Sequence, residues 1–132
     1  MFIHRVAILL LALALPVHCA TLCVSPSGDG TTGQSWQTAF SNIGEAIVAS
    51  TTGEEIWVAT GTYMENLIMD HPVTILGGFA GTEGVNEREK RDPYVNPVVI
   101  DGNQQGSVMT VRADLTLDGV TVQHGLNSDG SG

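Results

Sequence analysis

The sequence predicts an all-β chain, a right-handed parallel β-helix (solenoid) carrying an N-terminal amphipathic capping helix. Three observations predict it: a stretch of short alternating strands that recurs, turn residues that separate those strands, and one change to helical periodicity ahead of them.

The recurring stretch is Ile56 to Gly78, IWVATGTYMENLIMDHPVTILGG. Shifted by the 42 positions that separate Ile75 from Leu117, Val58 falls on Ile100, Leu67 on Met109 and Met69 on Val111. Val73, Ile75 and Gly77 then fall on Leu115, Leu117 and Gly119. Apolar residues return mostly two apart, with Thr74, Thr110 and Thr116 between them, which is strand alternation. Gly, Asn, Asp and Pro break both copies into short runs, as turns between several short strands would. A polar excursion, Ala80 to Asn96, follows the first copy. Without it each unit is roughly 24 residues, within the span of solenoid repeats. Val58/Ile100, Leu67/Met109, Met69/Val111, Val73/Leu115 and Ile75/Leu117 are the expected stacked inward pairs. A small antiparallel sandwich with accidental self-similarity is the competing arrangement.

The runs SWQTAFSNIGEAI, EEIWVATGTY and VTILGGFAGTEGVNEREKRDPYVNPVVIDG occur in that order. Together they resemble the N-terminal part of secreted right-handed β-helix repeat proteins of bacterial cell surfaces, within the pectate-lyase-like superfamily. The resemblance runs from Val24 to the last residue and implies the β-helix fold. It leaves function open, because such solenoids host lyases, hydrolases, adhesins and surface modules.

Residues 1–19 read as a signal peptide, and 20–132 as the cap and first coils of the β-helix domain. Arg5 supplies a positive end, Val6 to Leu15 an apolar run, and Pro16 a break before a short tail. That run is too short for a transmembrane helix, which needs about 20 apolar residues. Cleavage fits after Cys19 or after Ala20, and His18 argues against lipoprotein processing at Cys19. Either cut leaves Cys23 alone, so no intrachain disulfide forms. Beside Leu22 and Val24, Cys23 reads as a small buried hydrophobe. The expected location is therefore secreted or cell-surface, with no membrane span in the mature chain.

Five Lys and Arg against 14 Asp and Glu give a net charge of −9, and loss of Arg5 with the leader makes it more negative still. Such a surface disfavours nucleic acid and anionic membranes and permits polysaccharide or cell-surface glycan partners. Arg88, Lys90 and Arg91 sit among Glu83, Glu87, Glu89 and Asp92, which reads as a self-compensating solvated loop.

In chain order, Thr21 to Val24 is a short strand and SPSGDGTTGQS is turn material. No Lys follows its glycines as a phosphate cradle requires, and Asp29 lacks the alternating ligands of a calcium loop. From Ser35 to Ser50 the period turns helical. Trp36, Ala39, Phe40, Ile43, Ala46 and Ile47 share one face, Ser35 is the expected N-cap and Gly53 lies past the end. The Trp36/Phe40/Ile47 face suits a plug over the first coil, and a partner-binding helix is the alternative. Ile56 to Val58 is a strand, Gly61-Thr62 a turn, and Tyr63 its cover. Ala80 to Pro97 is the long loop on which binding is expected. The second coil runs from Val98 to Gly119, with Asn103 at a turn, and Val120 and Val122 continue the alternation. The two coils predict the start of a longer solenoid, with self-association through an open C-terminal coil.

No residue matches a catalytic, cofactor-binding or metal-ligating pattern. Glu54 and Glu55 are adjacent and point to opposite strand faces, while His71 and His124 lack a second ligand at metal spacing. The expected function is an exported non-catalytic module with a structural, adhesive or glycan-binding role. The competing function is a fragment of a polysaccharide lyase or glycoside hydrolase whose active site lies elsewhere, for which Asp101, Asp118 and Arg112 are the outward-facing candidates here.

Overall fold

The computed structural model describes residues 20–126, so the expected leader at 1–19 and the polar tail at 127–132 lie outside the described residues. Strand β1 (Thr21–Val24) precedes helix α1 (Ile43–Ala49). Then come β2 (Glu55–Ala59), β3 (Gly61–Met64), β4 (Leu67–Met69) and β5 (Val73–Phe79). A loop containing a 3-10 turn at Arg88–Lys90 leads to β6 (Val98–Asp101), β7 (Met109–Val111), β8 (Leu115–Asp118) and β9 (Thr121–Gln123). Three sheets result, in the orders β1-β2-β5-β8, β3-β6-β9 and β4-β7, and every pairing among the described strands is parallel.

Register follows side-chain type. Leu22, Ile56, Ile75 and Leu117 lie side by side across the four-stranded sheet. Tyr63, Ile100 and Val122 do so across the three-stranded sheet, and Leu67 lies beside Met109 in the third. Apart from the exposed Val122, these residues of all three sheets meet in one interior cluster with Val24, Val58, Met69 and Val98, Met109 and Leu117 packing against it half-buried. Each fully buried side chain of this size contributes roughly 1.5–3 kcal/mol. Tyr63 is accommodated because its hydroxyl donates to the Ala59 carbonyl at 2.8 Å.

Four of the five expected pairs lie in register, Leu67/Met109, Met69/Val111, Val73/Leu115 and Ile75/Leu117, although Val111 stays exposed and does not join the interior. Val58/Ile100 does not. Ile100 pairs with Tyr63 and Val58 with Val24, because Gly61, at φ +152°, swings the chain out of β2 into a separate strand. It is GTYM, not IWV, that meets VVID, so Gly61-Thr62 opens a strand and is not a turn, and Tyr63 points into the interior and covers no turn. The stretch Ile56 to Gly78 also holds more than one unit, since it supplies both β2 and β5 to the same sheet with Ile56 beside Ile75. The recurring Gly77 and Gly119 have a steric reason. A Cβ on Gly77 would strike the Gly119 carbonyl, and one on Gly119 would come within 2.7 Å of the Gly77 oxygen.

The helix is shorter than its periodicity predicts, and it starts at Asn42 rather than Ser35. Ser35 and Thr38 instead close a turn through their hydroxyls. Phe40 is drawn into a parallel bridge with Val24, donating to the Cys23 carbonyl at 3.0 Å and accepting from Ser25 at 2.9 Å. Pairing with the edge of β1 satisfies backbone groups that a longer helix would have left unpaired on the strand. Asn42 then caps α1 by accepting from the Glu45 N–H, and the Glu65 carboxylate accepts from Ile43 and Gly44 at 2.7 and 2.9 Å. Ile43, Ala46 and Ile47 pack into the interior cluster and Phe40 packs against it. Trp36 does not join this plug. It lies with Trp57, Leu76 and Phe79 in a separate cluster.

Candidate functional site

Alternation along the four-stranded sheet sends Ile56 and Val58 inward and Trp57 outward. The outward row across the sheet is Cys23, Trp57, Leu76 and Asp118, in register. Large apolar groups on an outer face need cover, and two loops supply it. Phe79, at the end of β5, stacks on Trp57 with ring centroids 4.5 Å apart and planes 10° from parallel. Trp36, from the turn after β1, meets Phe79 at 5.7 Å and 45°. Both arrangements suit aromatic quadrupoles.

The long loop after β5 folds over this cluster through ionic and backbone bonds. Glu83 turns its carboxylate back to accept from Ala80, Gly81 and Thr82 at 2.6, 3.0 and 3.1 Å, while its carbonyl accepts from Trp36 Nε1 at 2.8 Å. Arg88 Nε donates to both Glu55 oxygens at 3.0 Å, and Trp57 Nε1 donates to Glu55 at 2.8 Å. Arg91 bonds the Gly77 carbonyl at 3.1 Å and Asp118 at 2.9 Å. Burial pushes the Glu55 carboxyl up, but the Arg88 and Trp57 hydrogen bonds outweigh it and hold the group below its ordinary value. The hydrogen bond from Arg91 likewise lowers Asp118. The loop is thus not simply self-compensating. Lys90–Glu87 and Arg88–Glu89 pair within it, but Arg88 and Arg91 tie it to the sheet.

Between this loop and the 34–37 turn lies a cleft of about 580 Å³, floored by Cys23, Trp57 and Trp36 and walled by Gln34, Gln37, Glu83 and Asn86. Burial, followed by the Glu83 charge, pushes the Cys23 thiol up to about 11, so it stays protonated and serves as an apolar floor. The cleft can hold a small polar ligand with an apolar face. It offers no nucleophile with an adjacent base.

The candidates for catalysis are kept apart. Asp101, in the β3-β6-β9 sheet, accepts from Gln123 Nε2 and the Asn103 N–H and pairs with His124 at 2.8 Å. The His124 hydrogen bond, with those of Asn103 and Gln123, brings its carboxyl down to about 2. Asp118 stands in another sheet against Arg91, and Arg112 pairs with Asp70 at 3.1 Å beside β7. Glu54 accepts from the Thr51 N–H, Asp29 from Thr31, and His71 Nε2 bonds the Ser50 hydroxyl at 2.9 Å. Among the described residues no group of three His, Cys, Asp or Glu could hold a metal ion, and no helix is long and apolar enough to cross a membrane.

The aromatic cluster was not singled out from the sequence, although one signal pointed to it. Trp57 alternates with inward Ile56 and Val58, so it had to face outward and be covered. No family model, curated protein or solved structure matches the chain.

Proposed function

We propose that the chain forms a capped right-handed parallel β-helix, exported through residues 1–19 and serving without catalysis as a cell-surface or secreted module. Its role is structural, adhesive or glycan-binding, as in the bacterial surface solenoids that its SWQTAF to VVIDG segment resembles. The observation that carries this reading is the in-register row Leu22, Ile56, Ile75, Leu117, repeated in kind by two further parallel sheets around one interior. Parallel neighbours joined by crossover connections are right-handed in about 98% of cases, which supplies the hand. The α1 face of Ile43, Ala46 and Ile47, seated on that interior beside β1, supplies the cap. The separation of Asp101, Asp118 and Arg112 onto different elements, each with its own partner, favours a module over a lyase or hydrolase.

The test is expression of the full chain in a secreting bacterium, with mass spectrometry of the exported product and an assay for unsaturated sugars on polygalacturonate with and without calcium. A product beginning at Ala20 or Thr21 and inert on polygalacturonate is expected. Turnover abolished by Asp101→Ala or Arg112→Ala would replace the module with an enzyme.

A further inference from the structure

The cleft over Cys23 and Trp57 has features that together describe a ligand. Its half-buried aromatic surface belongs to Trp36, whose orientation is set by the 2.8 Å bond from Nε1 to the Glu83 carbonyl and by its contact with Phe79. With its donor committed to the backbone, the indole offers its apolar face. The polar wall is chiefly neutral, with the amides of Gln34, Gln37 and Asn86 and the hydroxyls of Ser35 and Thr82. The one carboxylate among the described lining residues, Glu83, is occupied by three N–H groups of its own loop. The nearby arginines of the loop, Arg88 and Arg91, are already paired with Glu55 and Asp118. A polyanion would therefore meet a net charge of −9 with no uncommitted cation in the cleft wall.

A pyranose ring has what this cleft lacks: a flat patch of C–H groups on one face and a rim of hydroxyls that both donate and accept. The volume of about 580 Å³ lies within the usual ~300–1,000 Å³ of small-ligand sites. We infer that the cleft is a binding site for a neutral hexopyranose chain, with one ring lying on Trp36 and its hydroxyls bonded to the wall amides. The inference rests on the glycan-binding reading above and adds to it a subsite and a sugar class.

Calorimetric titration of the purified chain with cellohexaose, mannohexaose and, as the anionic comparison, hexagalacturonate tests it. Saturable binding of a neutral hexamer is expected, with hexagalacturonate at least tenfold weaker. Trp36→Ala should weaken binding by about tenfold. Because Trp36 also touches Phe79, Gln37→Ala provides a second probe at an exposed position and should weaken binding about threefold with an unchanged melting temperature. Tyr94→Ala, 98% exposed and outside the cleft lining, should leave binding unchanged. Neutral-sugar binding that survives both Trp36→Ala and Gln37→Ala would overturn the cleft while leaving glycan binding in place. Tighter binding of hexagalacturonate would overturn the sugar class. If none of the three hexamers binds, the cleft assignment is overturned together with the glycan-binding reading, and the structural module remains.

Discussion

The two faces of the β1-β2-β5-β8 sheet are made from alternate residues of the same strands, yet they are built on different rules. Inward, Leu22, Ile56, Ile75 and Leu117 repeat one side-chain type at successive rungs. Outward, Cys23, Trp57, Leu76 and Asp118 repeat nothing. Neighbouring parallel strands lie about 4.8 Å apart, so inward side chains cover one another and must match in size. Outward side chains are covered by loops from elsewhere in the chain, and each rung is free to differ. Repetition therefore holds the interior together, while the individual character that recognition requires collects on the outer face.

The comparison is sharpened most by removing one large group from each face. Phe79→Ala should cost about 3–5 kcal/mol, and Ile75→Ala about 2–5 kcal/mol, because both side chains are fully buried. Urea unfolding measures the loss. Tryptophan emission separates the faces: Phe79→Ala should shift it toward that of exposed indole, since Phe79 contacts both Trp36 and Trp57, while folded Ile75→Ala should not. Equal shifts in the two variants would mean that the faces are not independent.

A smaller effect is expected where neighbouring rungs approach through their backbones. Gly77→Ala places a Cβ against the Gly119 carbonyl, which can yield only by moving the turn between β8 and β9 away from β5. The expected loss is about 1–3 kcal/mol in the same unfolding experiment. A neutral outcome would show that the glycine pair tolerates greater separation than its geometry suggests.

The smallest effect belongs to the ionic tie between loop and sheet. Arg88 is 41% and Glu55 24% exposed at the side chain, so solvent screening reduces the value of their pair, and Arg88→Ala should cost about 1 kcal/mol or less at neutral pH. Its pH dependence has a definite sign. Glu55 has its carboxyl lowered in the folded chain, so its contribution is present above the ordinary value of 4.5 and is lost as pH falls through the folded value. Thermal melting from pH 6 downward should show wild type losing more stability than Arg88→Ala in that range. Parallel curves would remove Arg88 as the group that holds Glu55 ionised.

The interior was largely legible because it obeys periodicity. Period-two alternation and the recurrence of Leu67 to Ile75 in Met109 to Leu117 predict four of the five pairs in their observed register. Val58/Ile100 failed because one constant shift cannot follow a repeat whose turns and loops vary in length. The helix was overextended for a related reason: Trp36, Phe40 and Ile47 satisfy a helical period, but Phe40 gains more by bridging Val24 at the open edge of β1. The local signal for the true start, Asn42 followed three residues later by Glu45, lies inside the longer apolar pattern and is not part of it.

By itself, then, the amino-acid order determined the strands other than β3, their inward residues and the apolar face of α1, all of which depend on neighbours a few residues away. Tertiary structure alone decided that Trp36 meets Phe79, that Glu83 joins one loop to another, and that Arg88 and Arg91 bind the sheet rather than only their own loop. These contacts join residues far apart in the chain, with no period relating them. Their partners are chosen by where the packed strands place the loops, and so the interior could be read from sequence while the cleft on the outer face had to be seen.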